Sequence, residues 1–136
     1  MDSFQALFLN MSLKKIGERL KSRRYWAERY RSQLPEYGVR VVSPPSDYTE
    51  NGYCNVTLFP NEERTSLEGK LKDAGIGFAN IYPGSMSDQD GAGEYLKGKF
   101  GSENAREISR TVLNLPLFPY MREDEFQEVL GIIKNR

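Results

Sequence analysis

Apolar side chains recur at helical spacing through the first quarter of the chain. Phe4, Leu7, Phe8 and Met11 form one line, Leu9, Leu13, Ile16 and Leu20 a second, and Ala27, Tyr30 and Leu34 continue the pattern. Residues 2–34 hold no proline and one internal glycine, Gly17, so the pattern predicts a single long helix. At 1.5 Å per residue it would run roughly 48 Å. A compact chain of this size has a radius of gyration of about 14 Å and is only about 37 Å across. The helix overreaches the body that should bury it, so part of its apolar face must meet something outside this chain, unless it breaks near Gly17.

Beyond Pro35 the period changes. Val39, Val41 and Val42 predict a short β-branched strand closed by Pro44-Pro45, and Asn51-Gly52 marks a turn. In YCNVTLF, residues 53–59, Tyr53, Asn55, Thr57 and Phe59 alternate with Cys54, Val56 and Leu58. This is the clearest strand signal in the chain, and the more apolar second set is expected to face the core. Pro60 ends it, and Asn61 is placed to cap a helix with Glu62 and Glu63 in its first turn. Leu67, Leu71 and Ala74 would be its buried stripe and Gly75 its left-handed stop.

IGFANIY, residues 76–82, reads as a third strand. Residues 83–101 are polar and carry five glycines, a length of loop that is usually functional or disordered. Ser102 or Glu103 should then open a helix reaching Leu113, before the extended apolar arm Leu115-Pro116-Leu117-Phe118-Pro119. A last helix starts with Glu123, Asp124 and Glu125, buries Phe126, Val129, Leu130, Ile132 and Ile133, and ends in Lys134 and Arg136 at the negative end of its dipole. Arg122 is a poor residue for the cap that precedes it.

These elements define an α+β fold, a long N-terminal helix plus a two-layer sandwich. The sheet would be small, three-stranded and mainly antiparallel, with the first strand in the middle and helices on one face.

Composition narrows the chemistry. The 19 lysines and arginines balance 19 aspartates and glutamates, so net charge points to no nucleic acid. The span Lys14 to Arg31 nevertheless carries eight basic residues against Glu18 and Glu28. This basic face is either a solvated helix side or a surface that attracts a nucleotide pyrophosphate or nucleic acid. The first is the plainer reading, and Tyr25, Trp26 and Tyr30 are better spent packing on the sheet than stacking on bases.

The chain has no histidine, which removes histidine triads, histidine acid–base work and most zinc sites. The lone cysteine, Cys54, forms no intrachain disulfide and points to a reducing, cytoplasmic setting; with no histidine to activate it, it reads as a small buried hydrophobe. Asp88 and Asp90 would serve as an acid–base pair only if rigid and desolvated. No signal peptide, membrane span or metal-ligand cluster is apparent in the sequence.

Three segments, in order and at matching spacing, resemble the C-terminal small domain of the DegT/DnrJ/StrS sugar-nucleotide aminotransferases. Met1-Asp2-Ser3-Phe4-Gln5-Ala6 with Leu13, Arg23 or Arg24, Tyr30 and Leu34 is similar to that family's opening helix. Arg64, Leu67, Leu71, Gly75 and Ile76 match a second motif without a gap. Ala105, Ile108, Ser109, Val112, Leu113, Leu115-Pro116-Leu117, Pro119, Met121, Glu123, Asp124, Val129 and Ile133 match a third. The family's tyrosine–proline loop near the sugar nucleotide resembles residues 82–89, with Ser85 where relatives carry a second proline and Ser87 where they carry histidine.

The resemblance implies a fold-type I enzyme dependent on pyridoxal phosphate (PLP), in which residues 1–34 form a connecting helix and residues 35–136 the small domain of one structural unit. It implies a role in lipopolysaccharide, other surface-polysaccharide or deoxysugar biosynthesis, with Tyr82, Ser87 and Gln89 as substrate-binding positions. The Schiff-base lysine belongs to the large domain in such enzymes. Lys14, Lys15, Lys21, Lys70, Lys72, Lys97, Lys99 and Lys134 sit on charged helix faces or in the glycine-rich loop, so this chain should hold no PLP and no catalytic residue of its own. The implied partners are a large PLP-binding domain, or a second copy of the chain as in a dimer, met through the N-terminal helix, and a nucleotide sugar in the full enzyme. No nucleic acid, membrane or metal is expected. The alternative is a free-standing, non-catalytic interaction module that complements a separate large domain.

Overall fold

The computed structural model of the chain describes residues 2–81, 84–98 and 100–136, apart from the side chains of Asn61 and Glu62. Its helices are α1 (Ser3–Leu13), α2 (Ile16–Gln33), α3 (Asn61–Asp73), α4 (Glu103–Thr111) and α5 (Glu123–Lys134). The strands are β1 (Arg40–Val41), β2 (Asn55–Leu58) and β3 (Val112–Leu115), in a three-stranded sheet of order β1-β2-β3. Both pairings are antiparallel, so the α+β class with a small antiparallel sheet holds.

The expected single N-terminal helix is two helices. The ladder is interrupted at Lys14 and Lys15, where the Lys15 amide donates to Ser12 instead of four residues back. The break lies just before Gly17. Asp2 caps α1 by accepting from the Gln5 amide, and the Gln5 side chain accepts in return from the Asp2 amide.

The core lies where α2, α3 and α5 meet one sheet face. Trp26, Tyr30 and Leu34 come from α2 and the turn after it, Leu67 and Leu71 from α3, and Phe126, Val129, Leu130 and Ile133 from α5, against Phe59, Leu113 and Leu115. Phe126 is the hinge of this packing, edge-on to Tyr30 at 4.8 Å and tilted against Trp26 at 5.3 Å between ring centres. Burial pushes the Tyr30 hydroxyl well above the ordinary phenol range.

Several expectations are corrected here. The middle strand is β2, the second in the chain and not the first. The third strand is β3, within the stretch expected to finish a helix. The α4 helix stops at Thr111, whose hydroxyl donates back to the Glu107 carbonyl, and the residues ahead of Pro116 are already extended. Residues 76–81 make no strand among the described residues, only a single bridge between Ala79 and Asn114.

The faces of β2 are also reversed. Asn55, Thr57 and Phe59 are buried under the helices, whereas Cys54, Val56 and Leu58 are half-buried on the opposite side. Thr57 suits the core because its hydroxyl donates to the Leu113 carbonyl across the sheet. The apolar set fits the other face because α4 lies there, with Ala105 and Ile108 opposite Cys54 and Val56. Where helical side chains flank a strand on both sides, alternation alone does not choose the core face.

At α3 the helix starts at Asn61 itself, with Pro60 in the cap position, and Ala74 is exposed. Gly75 does stop the helix in the left-handed conformation, with the Ile76 amide donating to Leu71 and that of Gly75 to Lys72. At α5, Arg122 occupies the cap and its amide donates to the Glu125 carboxylate. Ile132 is only half-buried. In the arm of residues 115–119, Leu115 is buried and Phe118 is exposed.

Candidate functional site

The candidate site is the start of the glycine-rich segment, where it crosses the outer sheet face beside α4. Of the three residues expected to bind substrate, Tyr82 lies outside the described residues. Ser87 and Gln89 belong to one compact turn built on Ser85. The Ser85 hydroxyl, buried in spite of its loop position, donates to the Asp88 carboxylate at 2.7 Å and lies 2.9 Å from the Ser87 hydroxyl. The Asp88 amide donates to the Ser85 carbonyl, and so does the Gln89 side-chain amide at 3.4 Å. Gly84 precedes this turn with φ of +133°, a conformation that side chains disfavour, and its Cα faces the Gln89 amide.

The turn is anchored through Asp88. Arg106 on α4 donates to both its carboxylate oxygens, from Nε at 2.8 Å and from Nη2 at 3.2 Å. These bonds raise the Arg106 guanidinium above its usual range. Asp88 is therefore ion-paired, and Asp90 is exposed. The pair does not form the rigid, desolvated acid–base couple that catalysis would need.

Beneath the turn lies a cavity of about 450 Å³, mostly apolar, whose walls include Cys54, Val56, Ile81, Met86, Ala105 and Ile108. Cys54 thus faces this cavity and not the core. Sequence reasoning missed Ser85 and Arg106. A serine that serves as a hub, and an arginine whose partner is 18 residues away in the chain, leave no periodic mark.

The motif residue Arg64 has a structural explanation. It pairs with Glu68 at 2.7 Å and donates to the Ser109 and Arg110 carbonyls at the end of α4.

Much of the basic face of α2 is likewise engaged by the domain itself. Arg23 donates to the Gly52 and Tyr53 carbonyls, Arg24 donates to that of Glu50, and Arg31 pairs with Glu28 and Glu50. Trp26 and Tyr30 are buried in the core, as expected, while Tyr25 is exposed with Arg29 near its ring.

A PLP site needs a lysine buried among partners that hold the ring and phosphate. Every lysine with a described side chain is exposed; Lys70 donates to the Asn135 carbonyl and Lys134 lies over the Tyr37 ring. Lys99 lies outside the described residues. The described lysines do not fit the cofactor. Among the described residues no group of three histidine, cysteine or acidic side chains gathers to hold a metal, and no helix is long and apolar enough to cross a membrane.

A small antiparallel sheet with helices on a common core, preceded by two helices and carrying a serine-rich turn, defines an α+β fold. The DegT/DnrJ/EryC1/StrS aminotransferase family model matches residues 1–134, and the chain belongs to that family. Its fold is similar to that of a DegT/DnrJ/EryC1/StrS aminotransferase from Brucella abortus, at 23% identity and a TM-score of 0.86, over 99% of this chain and 35% of that one. It is also similar to DesV of S. venezuelae, whose structure holds a ketimine intermediate, at 20% identity and a TM-score of 0.86, over 99% of this chain and 36% of that one. NtdA of Bacillus subtilis, with the cofactor PMP bound, matches at 20% identity and a TM-score of 0.68, over 85% of this chain and 28% of that one. The chain therefore spans about a third of the length of these structures. No curated protein matches it in sequence.

Proposed function

We propose that the chain works as the small domain of a PLP-dependent sugar-nucleotide aminotransferase of lipopolysaccharide, other surface-polysaccharide or deoxysugar biosynthesis, in the cytoplasm. It closes the cleft over a nucleotide-linked keto-sugar, with Tyr82, Ser87 and Gln89 as the residues that contact it. The cofactor, when bound to the complete enzyme, carries the amino group from an amino-acid donor to the sugar. This chain contributes substrate contacts and closure, and is not catalytic alone.

One observation carries the reading: nearly all of the chain, α1 included, matches family enzymes of which it covers only about 35%. The α1 helix supports it. None of its residues is buried, and Phe4 is 79% exposed with Leu7, Phe8 and Met11 beside it. An apolar stripe of that kind marks an interaction surface. Its proposed partner is a large PLP-binding domain, or a second copy of this chain. The same stripe favours the second reading, a free-standing module that complements a separate large domain without chemistry of its own.

Purified chain mixed with PLP should develop no stable near-visible band of lysine-bound cofactor. A band that survives gel filtration would sink the claim that the chain is catalytically incomplete. The coding sequence immediately upstream separates the two readings. A PLP-binding domain in or near the same frame supports the first, and an independent promoter and start codon the second.

A further inference from the structure

We infer that Asp88 and Arg106 are positioning residues, whose ion pair fixes Ser87 and Gln89 in the orientation the domain presents to its substrate. This rests on the substrate role proposed above for Ser87 and Gln89.

The turn lies at the surface. Met86 at its crest is 86% exposed, and the residues after it run into a glycine-rich stretch with the exposed aromatics Tyr95 and Phe100. Among the described residues, several of its hydrogen bonds converge on Ser85. That hydroxyl touches both Ser87 and Asp88, and its carbonyl accepts from Gln89. Asp88 links this hub to a regular element through the forked guanidinium of Arg106.

Support continues inward from there. Arg106 lies one turn into α4, and the far end of α4 is tied to α3 by Arg64, itself braced by Glu68. Leu67 and Leu71 on α3 are fully buried in the core. Two polar side chains on an exposed loop are thereby connected to the rigid part of the domain by a run of charge-assisted bonds. A substrate-binding group must be held by a supporting shell to be of use. Arg106 reaches Ser87 and Gln89 through Asp88 and Ser85.

Backbone 15N relaxation on the 136-residue chain tests this. Order parameters for residues 86–89 should stand near those of α4, about 0.8, and fall below about 0.6 in Arg106→Gln. Asp88→Asn should do the same, so the test does not depend on one variant folding well. Order parameters within α4 itself should stay near about 0.8 in both variants, which a general loosening of α4 would not allow. Unchanged order parameters in both single variants, with α3 and α5 intact, overturn the proposal. So does a fall in order that runs equally through α4. No substrate is present in this measurement, so its failure strikes the positioning role alone. A failure of the reading it rests on would show instead as an unchanged KM for the nucleotide sugar in Ser87→Ala and Gln89→Ala of the assembled enzyme.

Discussion

Arg29 of α2 and Glu123 at the start of α5 are joined by two parallel hydrogen bonds of 2.8 Å, Nη1 to Oε2 and Nη2 to Oε1. The guanidinium also lies over the Phe126 ring, 4.7 Å from its centre. The pair therefore locks the first turn of α5 to α2 directly above the aromatic centre of the core. Hydrogen bonding from Arg29 holds the Glu123 carboxyl below the usual carboxylate range, and the same bonds raise the guanidinium. A carboxyl lowered in the folded state stabilises it above the unfolded value of about 4.3, and that contribution is lost as pH falls through the folded value. Glu123→Gln should thus lower Tm at pH 7 and reduce the further loss on acidification. An acid-induced fall in Tm as steep in the variant as in the parent would refute the assignment.

Gly52 packs against α2 with φ of +64°, where an added Cβ would meet the Arg23 Cβ at 2.8 Å and the Arg23 carbonyl carbon at 3.2 Å. Both the backbone conformation and the space exclude a side chain. Gly52→Ala should destabilise by about 1–3 kcal/mol in urea titration, through strain and displacement of the 50–53 loop from Arg23 and Arg24.

Phe126 is fully buried between Trp26 and Tyr30. Truncation to alanine should cost about 3–5 kcal/mol. That is a large share of a domain's whole stability. Chemical denaturation at low temperature should show a midpoint shifted far down or a chain already unfolded.

The exposed stripe of α1 should behave in the opposite way. The double substitution Phe4→Glu with Phe8→Glu should change the unfolding free energy by no more than about 0.5 kcal/mol. It should at the same time abolish co-purification with a large PLP-binding domain and any concentration-dependent self-association seen by sedimentation. A large loss of stability would mean that α1 is part of the core after all.

Legibility in the sequence varied with the locality of the physics. The α3 stop at Gly75, the acidic opening of α5 and its stripe of Phe126, Val129, Leu130 and Ile133 rest on interactions within a few residues, and these matched. The choice between residues 76–82 and residues 112–115 as the third strand was non-local. Both stretches are apolar and β-branched, and the decision fell to Pro116 and to pairing with β2 along four residues against one bridge at Ala79. The face of β2 is non-local for a similar reason, because α4 gives the apolar outer set Cys54 and Val56 a partner. At the site, the family resemblance names Ser87 and Gln89 but not Ser85 or Arg106, since an ion pair between a loop and a helix is visible only once both are placed.

The interruption at Lys14–Lys15 has a consequence for how this chain can change over time. Because no residue of α1 is buried, the fold behind it places little constraint on these side chains. Under the role proposed for α1, substitutions at Phe4, Leu7, Phe8 and Met11 would be constrained by the surface that covers them. Those four positions should therefore drift in step with a partner's sequence, while Trp26, Tyr30 and Leu34, two turns and more beyond the break, drift in step with α5.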